Sequence, residues 1–233
     1  MKKYLLLSLA FLVPVAGLPV FSGILGFPVA PAILPLAVAQ NTPNVIVTDI
    51  KKTDRGHKQS AEIVLNNLIR IKEIQVTREA GRTTVKFPAY ISRKGRIYPQ
   101  VKILSEELMD AITKTIETGE GARVDALSGK TDFRINRFSP YRGKNSPLKV
   151  FASVVFNNAL EIECKIMEGV SRKTGRPYKF VSWPSRKDDS SGRWLKQVEI
   201  TQKHHRNKIE KALLNRYDNL KEYKTSDTSE EWE

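Results

Sequence analysis

From residue 45 onward the chain is a succession of short apolar runs, several of them alternating with period two. VIVTDIKKT, SAEIVLNN, LIRIKEIQV, TVKFPAYIS and YPQVKIL are rich in Val, Ile and aromatic residues. Such runs predict strands. The period then changes. In SEELMDAITKTI, Leu108, Met109, Ile112 and Ile116 fall on one helical face, Ser105 is positioned to cap the first turn, and Glu106 and Glu107 suit that turn. A second series follows: FRINRF, LKVFASVVF, LEIECKIM, YKFVSWP and WLKQVEI, then a helical pattern from Lys203 to about Leu220 with an apolar stripe of Ile209, Ala212, Leu213 and Tyr217. Each series predicts an α+β unit in which one C-terminal helix covers a mostly antiparallel sheet of about five strands.

The two series match in detail. Asn66-Asn67 in VLNNLIRIKEIQV recurs as Asn157-Asn158 in VFNNALEIECKIM, an offset of 91. Pro88 and Pro184 are offset by 96, and Arg96 and Arg193, Val101 and Val198, and Ile112 and Ile209 each by 97. The main step, from 91 to 96, falls between the double Asn and the proline, where the second series has the longer turn Gly169 to Pro177, and one further residue is added before the arginine. An insertion at that turn explains most of the drift, and an internal duplication is the reading. The expected organisation is a first domain over residues 44–117, a linker rich in Gly and small polar residues over 118–130 (TGEGARVDALSGK), a second domain over 131–220 and an acidic, disordered tail over 221–233.

The first 39 residues differ in kind. Lys2 and Lys3 precede an almost wholly apolar stretch without charge until Asp49, and Ala37-Val38-Ala39 supplies a small-x-small cleavage pattern. A secretory signal peptide and export follow. Residues 4–27 are also long enough to anchor in a bilayer, although five prolines between Pro14 and Pro35 oppose a straight helix. The one cysteine, Cys164, allows no internal disulfide and falls on the apolar side of an alternating strand, where it reads as buried filler.

Several short patterns resemble the SpoVG family of septation and sporulation regulators: Val47-Thr48-Asp49-Ile50-Lys51, the stretch AEIVLNNLIRIKEIQV from Ala61 to Val76, and Val181-Ser182-Trp183-Pro184-Ser185-Arg186-Lys187 with a Gly-Arg before the last strand. The resemblance implies two tandem SpoVG-like domains, a sheet-mediated pairing and a role as a nucleic-acid-binding regulator of septum formation. Two departures stand out. Family members are usually single cytoplasmic domains, and each half here lacks a motif that the other keeps: Pro88-Ala89-Tyr90-Ile91 replaces the Pro-Ser-basic run, and Asp132-Phe133-Arg134-Ile135 replaces the first-strand motif.

Charge sharpens this picture. The chain is +14 overall. Residues 44–119 hold 14 basic and 9 acidic residues, and residues 131–220 hold 19 and 9, so the second half carries most of the excess. Its candidate polyanion-binding residues are Arg172, Lys173, Arg176, Lys179, Arg186, Lys187, Lys203, Arg206, Lys208, Lys211 and Arg216, interleaved with Tyr178, Trp183 and Trp194 as candidate stacking rings. Exposed rings beside a cationic groove hold single strands by stacking. The plainer reading is a solvated basic helix above a strand in which either Phe180 or Trp183, on opposite faces, belongs to the core.

No chemistry-bearing motif competes. GxSxG, P-loop, GxGxxG, HExxH and CxxC are all missing from the sequence. His204 and His205 are neighbours about 100° apart on a helix and cannot share an ion. A non-enzymatic protein without cofactor or metal is expected. Its partners would be nucleic acid or, after export, an envelope polyanion, with the two repeats pairing inside one chain. The rival expectation is an envelope or septum-associated protein that binds a protein at a sheet edge.

Overall fold

The computed structural model describes residues 43–52, 58–143 and 145–227. The expected signal peptide or anchor over residues 1–39, and residues 228–233 of the expected tail, lie outside the described residues. The chain from Asn41 to Glu233 falls in one compact unit of α+β class.

The first sheet is an antiparallel meander of β1 (Val45–Lys52), β2 (Lys58–Leu65) and β3 (Ile69–Glu79), with β4 (Arg82–Lys86) paired to the far end of β3. A hairpin of β5 (Ala89–Ile91) and β6 (Ile97–Pro99) follows, then the short β7 (Val101–Ile103) and α1 (Glu106–Thr118). The second half repeats the order: β8 (Phe133–Pro140), β9 (Leu148–Phe156), β10 (Leu160–Val170), β11 (Pro177–Ser182), the hairpin β12 (Ser185–Lys187) and β13 (Trp194–Lys196), β14 (Val198–Ile200) and α2 (Lys203–Asp227). Helix α2 therefore continues beyond Leu220, where the sequence pattern ends it.

The double asparagines explain themselves. Asn66, Asn67, Asn157 and Asn158 all have positive φ, from 47° to 54°, at the two hairpin tips. A two-residue turn that matches strand twist needs positive φ at both positions, and Asn tolerates it. Helix α1 starts as its sequence predicts, with Ser105 Oγ accepting from Leu108 N at 3.3 Å, and ends at Gly119 with φ 77°.

The halves exchange a strand. β7 leaves the first half and pairs with β10, with Ile103 opposite Leu160, Lys102 opposite Glu161 and Val101 opposite Ile162. β14 pairs reciprocally with β3, with Ile200 opposite Ile69, Glu199 opposite Arg70 and Val198 opposite Ile71. The flanking hydrogen bonds repeat too: Gln100 N to Pro88 O (3.0 Å) and Gln197 N to Pro184 O (2.9 Å), and Glu163 N to Gln100 O (2.9 Å) and Lys72 N to Gln197 O (2.8 Å).

One core results. Ile63, Ile71, Ile74, Leu108 and Ile112 from the first half join Val154, Phe156, Ile162, Ile166, Ile209 and Leu213 from the second in a single buried cluster. Each such side chain contributes roughly 1.5–3 kcal/mol. The connector over 118–130, expected to be a flexible linker, is built into this structure. Val124 and Leu127 are buried, and the Asn66 and Asn157 amides donate to Leu127 O (2.8 Å) and Ala126 O (3.2 Å). Two apolar side chains among the small residues anchor it.

Candidate polyanion-binding surface

Strand β11 organises the surface. Its side chains alternate, so Tyr178 and Phe180 share the outer face while Val181 and Trp183 turn inward. The Tyr178 and Phe180 rings stack with centroids 5.6 Å apart and 23° between planes, and both are exposed. Gly169 lies opposite Tyr178, and a Cβ there would sit 3.1 Å from the phenol ring, so the glycine leaves room for that ring to lie over the neighbouring strand. At one end of this pair is the β10–β11 turn, closed by Ser171 N to Arg176 O (2.9 Å) and Gly175 N to Ser171 O (2.8 Å). Arg172, Lys173 and Arg176 stand exposed on it and line one recess together with Tyr178. At the other end, Phe180, Trp183, Trp194, Lys196 and Arg206 line a second groove together with Glu199 and Glu210. Among the described residues Trp194 is the most exposed large ring, at 70%. Tyr178 lines the first recess and Phe180 the second, so the stacked pair touches both, and we term these rings with the flanking cations the lane.

Not every candidate joins it. Trp183 is half-buried against the core and its indole Nε1 donates to Glu210 Oε1 at 3.0 Å, so the free ring of this strand is Phe180. The exposure of Phe180 was signalled by its i, i+2 relation to Tyr178. Lys179 is paired with Asp218. Arg186 is a tether: its Nε donates to both Glu73 oxygens at 2.7 Å, and Gln197 Nε2 donates to the same carboxylate at 2.9 Å. On the far flank of α2, Lys208 lies 5.6 Å from the Phe133 ring centroid and Arg216 4.9 Å from that of Phe138. These two cations cover β8 instead of facing the lane. Lys187, Lys203 and Lys211 are exposed.

Burial pushes the Cys164 thiol up to about 12, with Glu163 adding to the effect, so the sulfur is inert at neutral pH. Asp188 is held below the ordinary carboxylate range by the Ser191 and Ser190 hydroxyls, which close the β12–β13 turn. The His204 and His205 rings meet edge to face, 5.7 Å apart. Among the described residues no cluster of three His, Cys, Asp or Glu could hold a metal ion, and no helix is long and apolar enough to cross a membrane.

The fold and this surface together define an α+β protein with an exchanged strand pair and a cationic, ring-lined lane on one half. No protein-family model, curated protein or solved structure matches this chain.

Proposed function

We propose that the chain is a non-enzymatic, SpoVG-like polyanion-binding protein in which two tandem domains pair internally, in the way that separate subunits of the family pair. The repeated registers of β7 on β10 and β14 on β3 support the internal pairing. The observation that carries the binding reading is the lane of Tyr178, Phe180 and Trp194 flanked by Arg172, Lys173, Arg176 and Arg206. Stacking on successive rings beside cations suits single-stranded nucleic acid and tolerates any sequence. With export, the same cations would meet an anionic envelope polymer.

Titration of a labelled single-stranded oligonucleotide at several salt concentrations tests it. Replacing Arg172, Lys173 and Arg176 together by Gln should weaken binding about tenfold or more and flatten the salt dependence. Trp194→Ala should weaken it by roughly five- to a hundredfold while leaving the salt slope unchanged. Unchanged affinity in both variants overturns the reading.

One observation favours the alternative of an envelope or septum-associated protein that docks a partner at a sheet edge. β8 is an outer strand, hydrogen-bonded only to β9 among the described strands. Such an edge can accept an added strand. Binding there would depend little on salt.

A further inference from the structure

The β5–β6 hairpin of the first half is apolar and stands in solvent. Ala89, Tyr90 and Ile91 pair with Pro99, Tyr98 and Ile97, and all six residues are exposed. Alternation puts the two tyrosines on one face and the two isoleucines on the other. On the tyrosine face, Lys165 Nζ lies 5.6 Å from the Tyr90 ring centroid. The isoleucine face has no such cover: Ile91 is 64% and Ile97 66% exposed. The tip is an ordered turn, with Ser92 N to Arg96 O at 2.8 Å, Arg96 N to Ser92 Oγ at 3.0 Å and Gly95 at φ 73°. It presents Arg93, Lys94 and Arg96, all exposed, and no Asp or Glu stands anywhere between Glu79 and Glu106.

An exposed apolar patch rimmed by charges of a single sign is the pattern of an interfacial contact. Isoleucine and tyrosine enter the headgroup and acyl boundary, and cations at the tip meet negative headgroups. We propose that this hairpin docks on an anionic lipid surface, inserting Ile91 and Ile97 while Arg93, Lys94 and Arg96 engage the headgroup phosphates. Charge complementarity selects this occupant: a zwitterionic surface gives the three cations no net attraction, and a soluble polyanion leaves the isoleucines in water. The corresponding hairpin of the second half is built for another task. Its strands pair Arg186 and Lys187 with Leu195 and Trp194, its turn carries Asp188 and Asp189 where the first has only cations, and Arg186 is tied to Glu73.

Residues 41–233, which close their own core, are mixed with vesicles of phosphatidylglycerol and phosphatidylcholine, or of phosphatidylcholine alone, and co-sedimentation is measured. Binding should require the anionic lipid and weaken with salt. Each cation near such a surface is worth about fivefold, so replacing Arg93, Lys94 and Arg96 by Gln should lower partitioning about a hundredfold. Ile91→Ser with Ile97→Ser should lower it about tenfold and leave oligonucleotide binding unchanged, which separates this surface from the lane on the other half. These side chains are exposed, so both variants should melt with the parent. A second readout uses Ile97→Cys carrying an environment-sensitive dye, with buried Cys164 protected from labelling. Its emission should shift to the blue on anionic vesicles, and that of Lys187→Cys should not. Equal binding to both vesicle types, full binding by the serine variant, or an unshifted dye at position 97 overturns the proposal; loss of binding in the Gln variant alone would mark a purely ionic contact and overturn it as well.

Discussion

The outer faces of the two sheets carry the same arrangement with the charges reversed. In the first, Arg70 on β3 lies opposite Glu199 on the incoming β14, with Lys72 two residues on, while both cations reach Glu62 on β2 and Glu199 reaches Lys196. In the second, Glu161 and Glu163 on β10 pair with Lys102 on the incoming β7. Each half thus receives a strand whose charge opposes its own. A half pairing with its own kind would set Lys102 against Arg70 and Lys72, or Glu199 against Glu161 and Glu163, and like charges directly opposite destabilise a sheet. The pattern favours joining unlike halves, as one chain does, and disfavours joining like halves from two chains.

The faces also differ in depth. The Glu161 side chain is 9% exposed and that of Arg70 38%. Burial opposes the charge on Glu161, but hydrogen bonds from Ser153 (2.6 Å) and Asn136 (2.9 Å) and the Lys102 ammonium hold its carboxyl below the ordinary range. The second face is a closed network and the first a looser one. Glu73 adds a further asymmetry: with Lys72 it forms a bulge opposite Glu62, at φ 57°, whereas β10 passes the corresponding point without one. That extra residue is the one that grips Arg186 and Gln197.

The largest effect should come from reversing charge in the closed network. Glu161→Lys should cost about 3 kcal/mol in chemical denaturation, against about 1 kcal/mol for Arg70→Glu. Adding Lys102→Glu to Glu161→Lys should recover a good part of the loss, and additive losses in this double-mutant cycle would break the comparison. Next come the turns, where the halves should behave alike. Asn66→Ala and Asn157→Ala each forfeit a favourable left-handed residue and a bond to the connector, about 2 kcal/mol apiece, and Asn67→Ala and Asn158→Ala about 1 kcal/mol by thermal melting.

The smallest effect is in pH dependence. The folded pKa of Glu161 lies below its ordinary 4.5, so its contribution is present above that value and lost as the pH falls through the lower one. The melting-temperature gap between the parent and Glu161→Gln should therefore shrink in acid. Glu163 is shifted upward, by burial acting against Arg137 and Lys102. Its ionisation opposes folding, so Glu163→Gln should gain on the parent as the pH rises through the folded pKa. Parallel pH profiles for the two variants would contradict the assigned environments.

The sequence made the repeat legible because the turns demand a rare backbone conformation and the helix a capping Ser105, both local requirements written in residue type. Strand exchange was not legible. β7 and β14 are three residues long, and alternation in a run that short does not say which sheet receives it. Lys102 and Glu199 read as ordinary surface charges until their registers are known. The connector misled because the Gly and small polar composition of residues 118–130 outweighed Val124 and Leu127, which only tertiary packing distinguishes from linker filler. The basic residues of the second half were visible as a set, but Arg186 and Lys179 were drawn off by acids distant in sequence, Glu73 and Asp218.

The exchanged strands also set the order in which the chain can mature. Thr201 closes on the Asn67 and Leu68 carbonyls across 134 and 133 residues of sequence. The edge of β3 that β14 fills therefore stays open during synthesis until nearly the whole chain has emerged. Contacts of such long separation form slowly. The shared core of such a chain closes only when its last strand arrives, so the edge of β3 is the part of the molecule most exposed to wrong pairing in the meantime.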